Sequence, residues 1–465
     1  MNDNFYCIDI EFPNVDFSDY HIKGVSEVSK VHHAHLYTDK DEIELKIFYD
    51  DSSYFGEKLA RWGINKNAKK FGSFIKVNVT EKQSNERLQK IDLSEAKLIS
   101  FSNGTNYYEG KWKYIIIKVD TVKFYWNSNE ESKNTAEFYL EDKGFRIVEQ
   151  FYSILTPRTF LKNDGKFEMN RMKDSAKFYK LLKASFRPEF HLSSKDNKDD
   201  RTATIVKAPK IQFKYKNNVS ENEALFYGDV VLILASFYHH IKIDYTLSKI
   251  YLPESTITIK KVEEKNFLDR SGGLSSFGVN GGLNKFFEMS WQKDTINNFT
   301  ILSKAITLFN QSHLVDSTSA FLIRYNIIEI CDKQKSDNDK FTLVLNKKQT
   351  QLKKEEALTI LLEIVDIKEH EDFKKRWLDL QNYIQTKPMN SQLATFLESQ
   401  NIDPLALPIS IKDLKQLRNN ITHGSIDKVD TEQLRKANIL LYRISGILIL
   451  NLMGITNWRL NTEIN

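Results

Sequence analysis

Cysteine is almost missing from this chain: Cys7 and Cys331 are the only two, and they lie far apart. That excludes a disulfide scaffold and a cysteine-rich zinc site, and it fits a reducing cytosol. Long apolar runs are missing as well. The most hydrophobic stretch, residues 439–455, is broken by Arg443, Asn451 and two glycines. It falls short of the roughly 20 apolar residues of a membrane span and reads as a buried amphipathic helix. Residues 1–13 carry Asp3, Asp9 and Glu11 without a basic segment or an apolar run, so no signal peptide is expected there. The expectation is a soluble, cytoplasmic protein with no membrane partner. An excess of one charge is lacking too: 67 basic against 62 acidic residues leave a formal net charge of +5. So small a balance permits a basic RNA-binding cleft without arguing for one, because local clustering outweighs the total. Nucleotide fingerprints are also absent. Residues 267–283 contain Gly272, Gly273, Gly278, Gly281 and Gly282, yet no Lys-Ser/Thr pair follows at P-loop spacing and no dinucleotide pattern is present. A flexible linker or loop over residues 266–284 is expected instead.

What the chain does hold is aromatic mass. The 30 Phe and 20 Tyr residues point to substantial β-structure. A length of 465 residues is too great for one compact core, so two or three domains are expected. Up to residue 265 strand signals dominate. Residues 42–49 (EIELKIFY), 74–79 (FIKVNV), 114–119 (YIIIKV) and 136–139 are short, rich in Ile, Val, Phe and Tyr, and partly alternating. Turn-like clusters at Ser102-Asn103-Gly104 and Asn127-Ser128-Asn129 separate them. Residues 174–185 and 221–240 read as helices, and residues 196–201 (DNKDDR) as a solvated loop.

From residue 285 the apolar period becomes helical. Helices are expected over residues 298–310, 316–331, 354–367, 372–384 and 392–398, with a break at residues 405–408. The next helix starts at Ser410, with Asp413 three residues on in a capping-box-like arrangement. It carries Ile411, Leu414, Leu417 and Ile421 on one face and stops at Gly424. The last helix starts near Asp430, with Gln433 three residues later, and buries Leu434, Ala437, Leu441, Ile444, Leu448 and Leu452. The expected class is α+β: a β-rich region over residues 1–265, the Gly-rich linker or loop over 266–284, and an all-α bundle over 285–465.

The densest chemistry lies in Arg418-Asn419-Asn420-Ile421-Thr422-His423, followed at once by Gly424. A glycine at the C′ position ends a helix and leaves His423 in its last turn, where the negative end of the macrodipole favours a protonated imidazole. A histidine poised near neutrality takes or gives a proton. RNA carries its own nucleophile, the 2′-hydroxyl. Cleavage needs that proton removed, the departing 5′-oxygen protonated and the phosphorane charge held. His423 suits the proton transfers, and the Arg418 guanidinium binds phosphate oxygens as a fork. Asn419 suits donation to phosphate or orientation of its neighbours. No cofactor or metal enters this scheme. Five residues along a helix turn through about 500°, which leaves Arg418 and His423 roughly 140° apart. A two-fold axis beside the helix would bring two sets around one cleft, so a homodimer with a composite site is expected.

The segment Leu414-Lys415-Gln416-Leu417-Arg418-Asn419-Asn420-Ile421-Thr422-His423-Gly424, set in a helical region and followed by one long final helix, resembles the Arg-Asn-x-x-x-His motif of HEPN ribonucleases. It is most similar to the ApeA-like branch, in which a C-terminal HEPN domain follows a β-rich N-terminal region. The resemblance is motif-specific over residues 414–425, architectural over 285–460 and slight before that. It implies a metal-independent endoribonuclease acting as an anti-phage abortive-infection toxin, with tRNA among the candidate RNA substrates. By the family pattern Arg418 and His423 are the catalytic pair and Asn419 is the polar residue after the arginine. A toxic nuclease must be held inactive, and residues 1–265 contain no second catalytic motif. That region therefore takes a sensing or regulatory role, where a phage-derived trigger would act. The competing expectation is a non-enzymatic dimeric protein that binds a ligand or nucleic acid and whose HEPN-like bundle is silent. In that case Arg418 pairs with a carboxylate, while Asn420 and His423 only finish a helix.

Other chemistry-bearing clusters read more plainly. His32-His33-Ala34-His35 would need His33 and His35 on one strand face to hold a metal, and no cysteine or carboxylate pair completes a site, so a surface strand or loop is expected. His239-His240 reads as a C-terminal cap pair, and Glu363 with Asp366 as part of a solvated helix face. Arg61-Trp62, residues 66–76 and residues 207–216 (KAPKIQFKYK) interleave cations with aromatics. Such a pattern suits a phosphate backbone with stacked bases, and in IQFKYK it equally suits a lysine-protected edge strand.

Overall fold

In this computed structural model the described residues are 5–11, 33–39, 42–50, 76–79, 88–105, 112–127, 134–149, 158–161, 167–170, 177–196, 203–263, 273–332, 347–384 and 389–463. The architecture is mixed, with β-sheets in the N-terminal half and a helical C-terminal region. Two compact units divide it: Met1–Gly272 with Gly281–Lys293, and Gly273–Asn280 with Asp294–Asn465.

Among the described residues the first unit contains two large antiparallel sheets and a two-stranded one. In the six-stranded one the order is β4 (Lys76–Val79), β1 (Phe5–Glu11), β2 (His33–Thr38), β3 (Ile43–Asp50), β7 (Trp112–Val119), β6 (Leu98–Thr105). Alternation sets its buried face: Ile43, Leu45 and Ile47 pair with Val119, Ile117 and Ile115, and all six are fully buried. The expected strands at residues 42–49, 74–79 and 114–119 correspond to β3, β4 and β7. The turn expected at residues 102–104 is different, because β6 runs straight through it in register with β7.

The eight-stranded sheet is ordered β12 (Tyr179–Leu181), β13 (Ala184–Asp196), β14 (Ala203–Tyr215), β9 (Thr135–Leu140), β15 (Tyr245–Tyr251), β16 (Ser255–Lys261), β8 (Thr121–Asn127), β5 (Leu88–Asp92). A separate hairpin joins β10 (Arg158–Leu161) to β11 (Phe167–Asn170). Tyr6 of the six-stranded sheet packs on Phe124 of the eight-stranded sheet, with ring centroids 4.9 Å apart, so one apolar core joins the two sheets. Two expectations fail in the eight-stranded sheet. The helix expected over residues 174–185 is a strand pair within the described part, turning at Leu182 (φ 50°). Stacking of Tyr179 on Phe186 at 4.9 Å and pairing with β14 outweigh the local helix propensity. β14 is no edge strand either, being bonded to β13 and β9 on its two sides.

A short helix, α1 (Phe145–Glu149), follows β9, and the long α2 (Glu221–His239) covers the sheet. α2 begins in a full capping box: the Ser220 hydroxyl accepts the Glu223 N–H at 3.2 Å, and Glu223 accepts the Ser220 N–H at 3.1 Å. His239 and His240 end the helix as expected, His239 in its last turn and His240 at the C-cap with φ 56°. Both are buried, and burial pushes each imidazole down to about 4, with Arg146 adding to the effect at His239. α3 (Gly282–Ser290) also belongs to this unit, setting Phe287 on Phe186 at 5.1 Å. Residues 285–293 thus pack with the strands, although the sequence pattern groups them with the helices that follow.

The second unit is helical: α4 (Lys293–Asn297), α5 (Phe299–Gln311), α6 (Ser317–Asp332), α7 (Lys347–Leu362), α8 (His370–Ile384), α9 (Met389–Ser399), α10 (Ile411–Thr422) and α11 (Thr431–Leu452). α11 packs against α5 and α6 and is capped by Asp430, which accepts the Gln433 N–H at 2.8 Å. Among the described residues no helix is long and apolar enough to cross a membrane. A polar clasp joins α6 to α11: Arg324 donates to the Asn438 carbonyl and side chain, each at 3.1 Å, and Asn438 donates to the Ser317 carbonyl at 2.8 Å. Part of the Gly-rich stretch is an anchor for this unit. Leu274, Phe277 and Val279 are buried, with Phe277 against Tyr442 at 5.2 Å. Residues 264–272 lie outside the described set.

Candidate functional site

The site is built on α10. Ser410 accepts the Asp413 N–H at 3.1 Å and donates its own proton to the Asp413 carboxylate at 2.7 Å, so the helix starts where its cap residue stands. Ile411, Leu414, Leu417 and Ile421 are buried along one stripe, which packs α10 against α6. Fully burying such side chains contributes about 1.5–3 kcal/mol each. The opposite side of the helix is left for polar groups.

The helix ends in a Schellman turn. Ser425 N–H bonds the Asn420 carbonyl at 2.8 Å, Gly424 N–H bonds the Ile421 carbonyl at 3.2 Å, and Gly424 adopts φ +75°. His423 is the last residue before that reversal, at φ −93° and ψ 10°, with its N–H on the Asn419 carbonyl at 2.9 Å. Its side chain is exposed, and among the described residues nothing bonds the ring. Thr422 turns its hydroxyl back to the Arg418 carbonyl at 2.7 Å.

Arg418 is half-buried, and its Nη2 lies 3.6 Å from Glu329 Oε1 of α6, the two side chains being 35% and 29% exposed. At that distance and exposure the pair contributes at most about 1 kcal/mol, and among the described residues it is the one ion pair on the guanidinium. Tyr325, one turn earlier on α6, is buried within electrostatic reach of the pair. Burial raises its phenol and Glu329 raises it further, while Arg418 opposes them. Asn419 is half-buried, with no side-chain hydrogen bond among the described residues. The three residues singled out from the sequence, Arg418, Asn419 and His423, therefore share the last turns of α10. Glu329 and Tyr325 are the neighbours that sequence reasoning did not assign, because nothing local to residues 325–329 signals a contact some 90 residues downstream.

The remaining candidates do not join this site. His35 stacks edge-on to Phe48 at 5.4 Å, and His32 lies outside the described residues. Glu363 is exposed, and Asp366 caps a turn by accepting the Lys368 N–H at 3.0 Å. Lys210 is buried against Glu137 at 2.8 Å, and Lys214 lies over the Phe178 ring at 4.4 Å. Arg61 and Trp62 lie outside the described residues. Cys331 is buried and its thiol is pushed up to about 12, which leaves no thiolate for chemistry near neutrality. No family model, no curated protein and no solved structure matches the chain.

Proposed function

We propose that the chain is a HEPN-type endoribonuclease of the ApeA-like kind, cutting RNA through attack of the 2′-hydroxyl and serving as an anti-phage abortive-infection effector in the cytoplasm. One observation carries the proposal: among the described residues, an exposed imidazole with no protein partner ends the same helix that bears a guanidinium whose one ion pair is a 3.6 Å contact. His423 takes the 2′-hydroxyl proton and returns one to the departing 5′-oxygen. Arg418 holds the phosphorane charge, for which it exchanges Glu329 for phosphate oxygens, a stronger and two-pronged partner. Asn419 donates to phosphate or orients its neighbours. A second copy of the chain completes the cleft with a second Arg418/His423 set, and tRNA is a candidate substrate. The sheet-bearing region acts as the sensor for a phage-derived trigger.

The test is cleavage of total RNA in EDTA by purified wild type, Arg418→Ala and His423→Ala, with end-group analysis of the fragments. Wild type should leave 2′,3′-cyclic phosphates. Each variant should lose at least about a hundredfold in rate with an unchanged circular dichroism spectrum. A second reading rests on the Arg418–Glu329 pair itself: a guanidinium already engaged by a carboxylate suits a silent bundle in a non-enzymatic, dimeric ligand- or nucleic-acid-binding protein. If cells tolerate wild type and both variants equally and none cuts RNA, that second reading stands and the ribonuclease proposal falls.

A further inference from the structure

The sheet-bearing unit holds a cleft that ribonuclease chemistry leaves unused. It measures about 670 Å³, within the range of small-molecule sites, and lies where the ends of β8, β9, β15 and β16 meet α2. Part of its lining is apolar and buried, including Ile259 and Tyr245. The rest is charged, with six carboxylates against four lysines. Lys123 and Lys261 are held by carboxylates. Lys123 bonds Glu95 at 2.8 Å and Glu221 at 2.9 Å; Lys261 bonds Asp244 at 3.2 Å and lies 3.6 Å over the Tyr245 ring. The surplus charge of the cleft is therefore negative.

Glu141, directly after β9, concentrates that surplus in a dry place. Its side chain is only 5% exposed. Oε1 accepts the Asp244 N–H at 3.2 Å and lies 3.8 Å from the Lys143 ammonium. Oε2 takes no hydrogen bond among the described residues, although the residue lines the cleft. Burial pushes the carboxyl up to about 7 against the pull of Lys143, which is the condition of an anion awaiting a counter-charge. Asp229 of α2 supplies a second carboxylate to the same lining; the residue has exposed surface, yet burial of its carboxyl pushes it up to about 6, with Lys261 opposing and Asp244 adding to the rise. An inorganic cation does not suit the spacing: among the described residues no three His, Cys, Asp or Glu side chains are grouped to hold a metal. An ammonium group needs no such convergence, since its three donors reach separate acceptors.

We propose that this cleft binds a small organic cation, a primary amine or polyamine, with Glu141 and Asp229 accepting from its ammonium groups. The site is independent of the ribonuclease chemistry on α10. Isothermal titration of the full chain with spermidine at physiological salt tests it, with magnesium chloride as the competitor. Saturable binding is expected, weakening about tenfold or more in Glu141→Gln and in Asp229→Asn. It should also weaken as the pH falls from about 8 to about 6, because the bound state needs the protons of both Glu141 and Asp229 removed; Lys143, Asp244 and Glu263 face the first carboxyl, and Lys261 and Asp244 the second. Glu141→Gln keeps the acceptor for Asp244, and Asp229→Asn keeps the size of a side chain that makes no hydrogen bond among the described residues, so thermal melts should show both variants folded. No saturation by about 10 mM spermidine, equal affinity in wild type and Asp229→Asn, or displacement by equimolar magnesium would each overturn the proposal.

Discussion

Gly424 adopts φ +75° with open space where a Cβ would project, so a substitution there meets a backbone penalty and no clash. Gly424→Ala should lower stability by about 1 kcal/mol, and Gly424→Asn by less, because asparagine tolerates the left-handed region. Urea unfolding of the two variants checks the order. Glu141 makes an electrostatic prediction of definite sign. Its folded carboxyl titrates near 7 against an ordinary 4.5, so the folded chain retains a proton that the unfolded chain releases between those values. That contribution is fully present below pH about 4.5 and is lost as the pH rises through about 7. Glu141→Gln removes the buried charge and should be more stable than wild type at about pH 8, by about 1–3 kcal/mol, with the gap closing towards about pH 5. His239 and His240 act oppositely: both are depressed to about 4, so stability falls as acid charges them. Melting curves of wild type and Glu141→Gln across that range separate the two effects.

Helix ends and strand faces were legible because their signals are local. Ser410, Asp430 and Gly424 each act on a backbone group within four residues, and alternation in β3 or the three-and-four spacing on α10 needs only the neighbours in sequence. Residues 179–186 show where that logic stops. Their local preference is helical, yet Tyr179 and Phe186 find partners in β14, α3 and one another, and a strand results. The fit of α2 on the sheet is another contact that periodicity does not foretell. At Gly228 an added Cβ would strike the Phe138 ring, in a place where both groups are fully packed. Gly228→Ala should therefore destabilise by about 1–3 kcal/mol through overpacking, although alanine is the better helix former. Thermal unfolding would show the sign; a stabilised variant would mean that α2 does not lie flush on β9.

The two units exchange short segments along the chain rather than meeting at one boundary. Gly273–Asn280 belongs with the helices and Gly281–Lys293 with the sheets. A fragment cut at residue 285 on the strength of periodicity therefore omits Phe277, whose place lies against Tyr442 and Gly446. Residues 285–465 alone should melt well below residues 273–465, since emptying a buried phenylalanine site costs about 3–5 kcal/mol. Equal melting temperatures would show that Phe277 contributes nothing to the helical core.

From its own residues the sequence determined the class of each half, the capped helices and the cluster of Arg418, Asn419 and His423, because hydrophobic period, capping and glycine conformation act over a few residues. Only the tertiary structure decided that Glu329 and Tyr325 stand beside Arg418, that α3 serves the sheets, and that Glu141, Asp229 and Asp244 line one cleft. Those groups are far apart along the chain, and their meeting depends on long-range packing that no local pattern encodes.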